Sequence, residues 1–197
     1  MESIFFDTAS YFVDEKVHFF KFENVYQIYN DKGLSIGVIA QNLTPWEKVL
    51  RLLLHRSMLP FTLDIKNSIN EVEASISRGW TFFMSRIVIH DKYGVPIGEI
   101  HQKFKMFKPL FQIFNKDGEQ IAEISGDWKA WNFVIKDQRN VQIGTITKKW
   151  AGVMQEVFTT ADKYNVTIDP QYSNEENKIA ILASAITIDM VLKSVQK

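Results

Sequence analysis

HQKFKMFKP, beginning at His101, places His101, Lys103 and Lys105 at alternate positions, with Phe104 and Met106 between them. Alternate residues of a strand point to opposite faces, so the three basic side chains would share one side and the apolar pair the other. The plain reading of such a strip is a solvated outer face. Proteins that bind single-stranded nucleic acid set bases on aromatic platforms beside their basic groups. Here alternation sends the aromatics to the opposite face, and Lys plus Arg balance Asp plus Glu at 23 each, so nucleic acid is not expected. A second basic group lies in TPWEKVLRLLLHRSM. Thr44 and Glu47 form a capping box there, and Pro45 stands at the first helical position. This predicts an amphipathic helix near 45–58, with Trp46, Val49, Leu50 and Leu53 on one face and Lys48, Arg51, His55 and Arg56 mostly off it. It would serve as a flap over a sheet or barrel mouth, or as an interfacial membrane helix.

Catalytic patterns are missing from the sequence. There is no cysteine, which removes disulfides, thiolate zinc sites and thiol nucleophiles. The histidines, His18, His55, His90 and His101, lack the spacing of a metal pair on one helix. No glycine-rich phosphate loop and no G-x-S-x-G elbow occur. An enzyme is therefore not expected. One carboxylate stands out. Asp189 is the lone acid in KIAILASAITIDMVL, residues 178–192. It needs hydrogen-bond partners if enclosed, and strand N–H groups or Lys193 would supply them, which gives it a structural role.

What encloses Asp189 follows from its surroundings. Residues 179–192 would extend about 21 Å as a helix, short of the roughly 30 Å of a bilayer core, and their Ile, Leu, Ala and Met fall on every face. A helix apolar all round must be surrounded all round. The rest of the chain offers a wall. VYQIYNDKGLSIGVI, RIVIHDKYGVPIGEI, LFQIFNKDGEQIAEI and NFVIKDQRNVQIGTI align without gaps from Val25, Arg86, Leu110 and Asn132. Each alternates with period two, breaks at a polar turn ending on Gly33, Gly94, Gly118 or Asn140, and alternates again, which reads as a β-hairpin. The stretch from Pro60 reads as a degenerate fifth copy, and the stretch from Gly152 as a candidate sixth. Six hairpins are enough strands to close a barrel. In the second strand of the copies, Gly37, Gly98, Ala122 and Gly144 share the face of Ile39, Ile100, Ile124 and Ile146. That face is read as the interior. The small residues there either leave room for an enclosed object or mark bulges.

At these residues the chain resembles the phospholipid scramblase family. GTITKKWAGVMQEVFTTADKYNVTID, followed after a short gap by NKIAILASAITID, is similar to that family's C-terminal part. VPIGEIHQKFKMFKPLFQIFNKDGEQIAEISG and LPFTLDI resemble its central segments, and YQIYNDKG an earlier one, so the likeness runs from about Tyr11 to Leu192. Together with the LURP-one-related proteins and the tubby C-terminal domain, the family implies one domain over 1–197. The implied fold is mainly β, a closed twelve-stranded antiparallel barrel around a central hydrophobic C-terminal helix at about 175–193. The family's Asp-Ala-Asp-x-Phe calcium motif reads Thr160-Ala161-Asp162-Lys163-Tyr164 here, with a hydroxyl for the first carboxylate and a lysine beside the second. Calcium takes six to eight oxygens. Asp162 and Asp169 are the remaining candidate ligands, near Glu175 and Glu176, and the other reading is a strand-ending turn. No cofactor is expected. The family's cysteine cluster and proline-rich N-terminal region are absent from this sequence, which weakens inherited membrane anchoring.

The resemblance implies a protein that binds phospholipid headgroups peripherally, through His101, Lys103 and Lys105 with Lys48 and Arg51. A filled barrel would offer no path for a lipid transporter. The alternative is a soluble, non-enzymatic scaffold whose surface binds protein. The start, MESIFFDTASYFVDE, is acidic with no basic region before an apolar run. No secretory signal is expected, and the location expected is cytoplasmic, at most peripheral to a membrane.

Overall fold

The hairpins begin from their turns. In the computed structural model, which describes residues 5, 7–16, 25–41, 59–80, 86–105, 108–127, 129–148, 163–172 and 175–195, five turns share one construction. Each opens on Asn30, Asn67, Asp91, Asn115 or Asp137. The side-chain oxygen of that residue accepts the backbone N–H groups two and four positions on, at 2.8–3.1 Å. Short Asx side chains bond locally in this way and so stabilise a turn before any tertiary contact forms. The fourth residue, Gly33, Asn70, Gly94, Gly118 or Asn140, has a positive φ of 64–80°, the left-handed step of a type I turn followed by a bulge.

These turns link β2 (Val25–Tyr29) to β3 (Ser35–Gln41), β4 (Phe61–Asn67) to β5 (Val72–Arg78), and β6 (Arg86–Asp91) to β7 (Pro96–Lys105). They likewise link β8 (Lys108–Asn115) to β9 (Gln120–Asp127) and β10 (Asn132–Asp137) to β11 (Gln142–Thr147). The sixth antiparallel pair is not the local hairpin expected from Gly152. It joins β1 (Ser10–Lys16) to β12 (Lys163–Ile168), and β1 also pairs with β2, so twelve strands form a closed barrel. Closure explains the difference, because the last strand finds its second partner at the other end of the chain. Asp14 and Lys163 face each other across this seam, 3.6 Å apart and about nine-tenths buried. The expected helix near 45–58 lies outside the described residues.

Inward positions follow the alternation. Ile28, Ile39, Leu63, Ile76, Ile89, Ile100, Ile113, Ile124, Ile135, Ile146 and Val166 are fully enclosed. In every hairpin the register shifts opposite Gly37, Ala74, Gly98, Ala122 or Gly144. These five face inward and also sit at the bulge. A Cβ on Gly98 would stand 2.6 Å from the Phe114 carbonyl oxygen of β8, and one on Gly37 or Gly144 would meet the Lys66 carbonyl of β4 or the Thr167 carbonyl of β12 in the same way. The first obstacle is wall rather than helix. The glycines therefore let adjacent hairpins approach where the bulge bends them, as curvature into a barrel requires.

The helix α1 (Glu175–Val195) fills the bore, lying against β6, β7, β8 and β12. Glu175 and Glu176 in its first turn suit the positive end of the helix dipole. From Ile179 to Asp189 no residue exceeds 4% exposure. Each large apolar side chain so enclosed contributes about 1.5–3 kcal/mol.

Two stability predictions follow from the wall. Gly98→Ala should lower stability by about 1–3 kcal/mol, because the added methyl meets main chain that cannot yield cheaply. Gly79→Ala, with nothing within 4 Å of the added carbon, should stay within about 0.5 kcal/mol of the parent. Equal urea midpoints for the two variants would contradict this account of the bulge.

Candidate functional site

The expected basic strip lies on the outer face of β7, because Gly98, Ile100 and Gln102 of that strand are buried inward. Its three members fare differently. His101 turns its Nε2 to Glu99 Oε2 at 2.8 Å, and its ring lies 4.6 Å from that of Phe114. Glu99 is also gripped from β6, where Arg86 Nε and Nη2 donate to its two oxygens at 2.8 and 2.6 Å. Hydrogen bonds from Arg86 chiefly, and from His101, hold the Glu99 carboxyl below the usual carboxylate range against the opposing effect of partial burial. Lys103 is exposed on the same face. The backbone of Lys105 continues the strand, but its side chain, like Lys48 and Arg51, lies outside the described residues. The wall thus offers an exposed ammonium beside an imidazole already committed to a carboxylate.

The helix end builds a second polar site. Tyr26 of β2 donates its hydroxyl to Asp189 Oδ2 at 3.1 Å, and both residues are 1% exposed. A wall phenol is thus a partner of Asp189, while the side chain of Lys193, one of the partners expected for it, lies outside the described residues. Four residues beyond the small inward positions Gly37, Ala74 and Gly98 stand Gln41, Arg78 and Gln102, each less than a tenth exposed. Arg78 Nη2 donates to the Leu59 carbonyl at 2.6 Å, and its guanidinium lies 4.8 Å from the Phe61 ring centre. Beyond the β8–β9 hairpin, beside β10 and β11, Lys148 Nζ lies 4.7 Å from the ring centre of Trp131. Hairpin turns occupy one end of the barrel, and this polar collar lines the other. Sequence reading overlooked Tyr26, Gln41, Arg78 and Gln102, although each occupies an inward register position that the alternation already defined.

The degenerate calcium motif falls largely outside the described residues, Asp162 included. Asp169 is described and exposed. Its Oδ1 accepts the Gln171 N–H at 2.8 Å, its carbonyl accepts the Tyr172 N–H, and its own N–H donates to Ile143. Lys163, beside Asp162 in sequence, turns to Asp14. Among the described residues no three of His, Cys, Asp or Glu gather where they could hold a metal ion.

Removing either grip should be measurable. With Arg86→Ala, the Glu99 carboxyl should titrate at higher pH than in the parent, as followed by side-chain carbon resonances. A depressed carboxyl stabilises the fold above its ordinary pKa and loses that contribution as pH falls through the lowered value. Acid unfolding of the variant should therefore begin at higher pH, and an unmoved Glu99 titration would refute the pairing. Asp189→Ala should cost about 1–3 kcal/mol, because it removes an acceptor of the buried Tyr26 hydroxyl, and Tyr26→Phe about 0.5–1.5 kcal/mol. An unchanged melting temperature in both variants would count against a buried bond.

Comparison with known proteins places this geometry. The family model described as Scramblase matches residues 14–193. Altered inheritance rate of mitochondria protein 25 of Saccharomyces cerevisiae is 23% identical over 86% of this chain and 64% of its own length. Phospholipid scramblase 2 of Homo sapiens is 26% identical over 86% of this chain and 60% of its own. A phospholipid scramblase family protein of Schizosaccharomyces pombe is 24% identical over 85% and 47% respectively. The chain thus spans about half to two thirds of the length of these relatives. No solved structure gives a significant match. With the family model covering nearly the whole ring and its helix, this chain belongs to the scramblase family.

Proposed function

We propose that this protein associates peripherally with phospholipid surfaces at the cytoplasmic side and does not carry lipid through itself. The observation that carries the second half is the filled bore. From Ile179 to Asp189 the helix is sealed against the wall, so a lipid has no polar track through the barrel. No helix among the described residues is long and apolar enough to cross a membrane. The strands fit a spanning role poorly, because the outer wall carries Asp64, Lys66, Arg86, Glu99, Glu123 and Lys136, charges that a lipid-facing barrel would have to desolvate. The association itself is supported by the relatives, two of which are named phospholipid scramblase proteins. In this reading Lys103 meets headgroup phosphate, with Lys105, Lys48 and Arg51 extending the contact. No catalytic step and no cofactor enter it.

A protein-binding scaffold is the second reading. The Glu99 carboxylate favours it, since it answers Arg86 and His101 and leaves the wall less basic than its sequence suggests. Co-sedimentation with neutral and with anionic vesicles, each with and without calcium, separates the two. Vesicle-dependent pelleting is expected, with no change on adding calcium and no calcium heat by titration calorimetry. Protein that stays in the supernatant under all four conditions would leave the scaffold reading standing and remove the lipid one.

A further inference from the structure

The five turns are equivalent by construction, so they act as controls for one another. In each, the backbone of the third and fifth residues serves the Asx oxygen; Glu71 and Glu119 at the fifth position also accept from Asn67 and Asn115 Nδ2 at 3.4 and 3.1 Å, a bond that an apolar side chain there cannot make. The fold does not ask for apolar residues in these slots. Lys32, Asp117 and Arg139 take the third position in three turns, and Glu71 and Glu119 the fifth in two. Yet Leu34, Ile69, Tyr93, Val95 and Val141 stand in the same slots, 55–79% exposed. They make up five of the six large apolar side chains strongly exposed among the described residues; the sixth, Trp80, follows β5 at the other end.

Four of the five fall on neighbouring hairpins. Leu34, Ile69, Tyr93 and Val95 belong to the β2–β3, β4–β5 and β6–β7 turns, which are consecutive around the ring. With strands about 4.8 Å apart, consecutive turns stand about 10 Å from one another, so the arc is about 20 Å long. Turns of one length on one rim present their tips at a common level, which matches a flat partner better than a convex one. The charges within the arc are Asp31, Glu71 and Asp91 against Lys32 and Lys92, which leave it close to neutral and slightly acidic. Lys92 lies 5.3 Å from the Tyr93 ring centre, an amphipathic pairing of the kind that settles at headgroup level. The β8–β9 turn, with Lys116, Asp117 and Glu119, interrupts the arc before Val141.

We propose that this three-turn arc is the face that enters the interface of a neutral phospholipid bilayer, with Leu34, Ile69, Tyr93 and Val95 inserted among the headgroups. The proposal rests on the peripheral lipid association but not on the Lys103 contact, which it replaces with the turn rim. The slight acidity of the arc sets the lipid class, since an anionic surface would repel it and a neutral one would not.

The sequence contains no cysteine, so single Leu34→Cys, Val95→Cys, Thr62→Cys and Lys103→Cys variants can each carry one environment-sensitive fluorophore. With phosphatidylcholine vesicles, emission from the two rim sites should shift to the blue and rise severalfold, while the two wall sites stay near their values in buffer. In parallel, a variant combining Leu34→Ser, Ile69→Ser, Tyr93→Ser and Val95→Ser should lose at least about tenfold in bound-to-free ratio at an unchanged melting temperature. If the combined variant fails to fold, the labelled single variants decide alone. Wall labels that respond while rim labels do not, or a combined variant that pellets like the parent, would overturn the rim and leave the lipid reading intact. Failure of the unmodified protein to bind any vesicle would remove both. A dimer in solution that the combined variant dissolves would assign the arc to a second copy of the chain and overturn the bilayer proposal.

Discussion

Everything in this molecule answers to one helix that cannot face water on any side. Ile179, Ile181, Leu182, Ile186 and Ile188 leave no polar stripe between them, and Ala180, Ala183 and Ala185 keep the helix slim enough to be encircled. Packing against one sheet would hide half of such a surface. A ring hides it all, and a ring also removes the exposed strand edges that an open sheet of this size would present. The inward row of isoleucines and the bulge glycines are the wall's side of the same requirement. The isoleucines fill the space around the helix, and the glycines let successive hairpins bend close enough to come round.

Closure imposes an order on assembly. Five hairpins are local and self-cued by their Asx turns, so they can form early and independently. The seam is different, since β1 and β12 lie at opposite ends of the chain and meet only when the ring is complete. The helix follows β12 directly, tied to it through Asp169 and Tyr172, so the enclosed element arrives with the last strand. Asp14 and Lys163 lie across that junction. A buried pair adds little net stability over apolar residues but penalises misregister strongly, and a seam without a hairpin turn to set its register has use for that.

This division explains what could be read in advance. The five hairpins, the inward face and the enclosed helix were legible because each rests on short-range pattern: period two, a positive-φ residue at a fixed offset, apolar residues on every face of one segment. The β1–β12 seam was not legible, because nothing local in SYFVDEK or KYNVTI names its partner, and a sixth hairpin was the nearest local substitute. The candidate sites divide in the same way. The outward direction of His101 and Lys103 followed from alternation. The commitment of His101 to Glu99 could have been inferred, since residues two apart on a strand share a face, but Arg86 joins them across strands. The Tyr26–Asp189 bond links residues 163 apart in sequence, and only the threading of the helix through the ring brings them together.

A repeated wall also separates what the fold needs from what it tolerates. In each turn the first and fourth residues are constrained, by the Asx oxygen and by the positive φ, while the third and fifth are held through their backbone N–H groups, to which Glu71 and Glu119 add a side-chain bond with the opening Asn. The collar end shows the same split in the inward row, where the bulge residue is always small and the residue four further on varies among Gln41, Arg78, Gln102, Gly126 and Lys148. Variation at an unconstrained, equivalent position costs the fold little, so chemistry can accumulate there without loss of the ring. An exposed apolar side chain repeated at such positions on three consecutive turns has no structural task left to explain it, because the turns that carry Asp117, Glu119 or Arg139 close the same barrel without it.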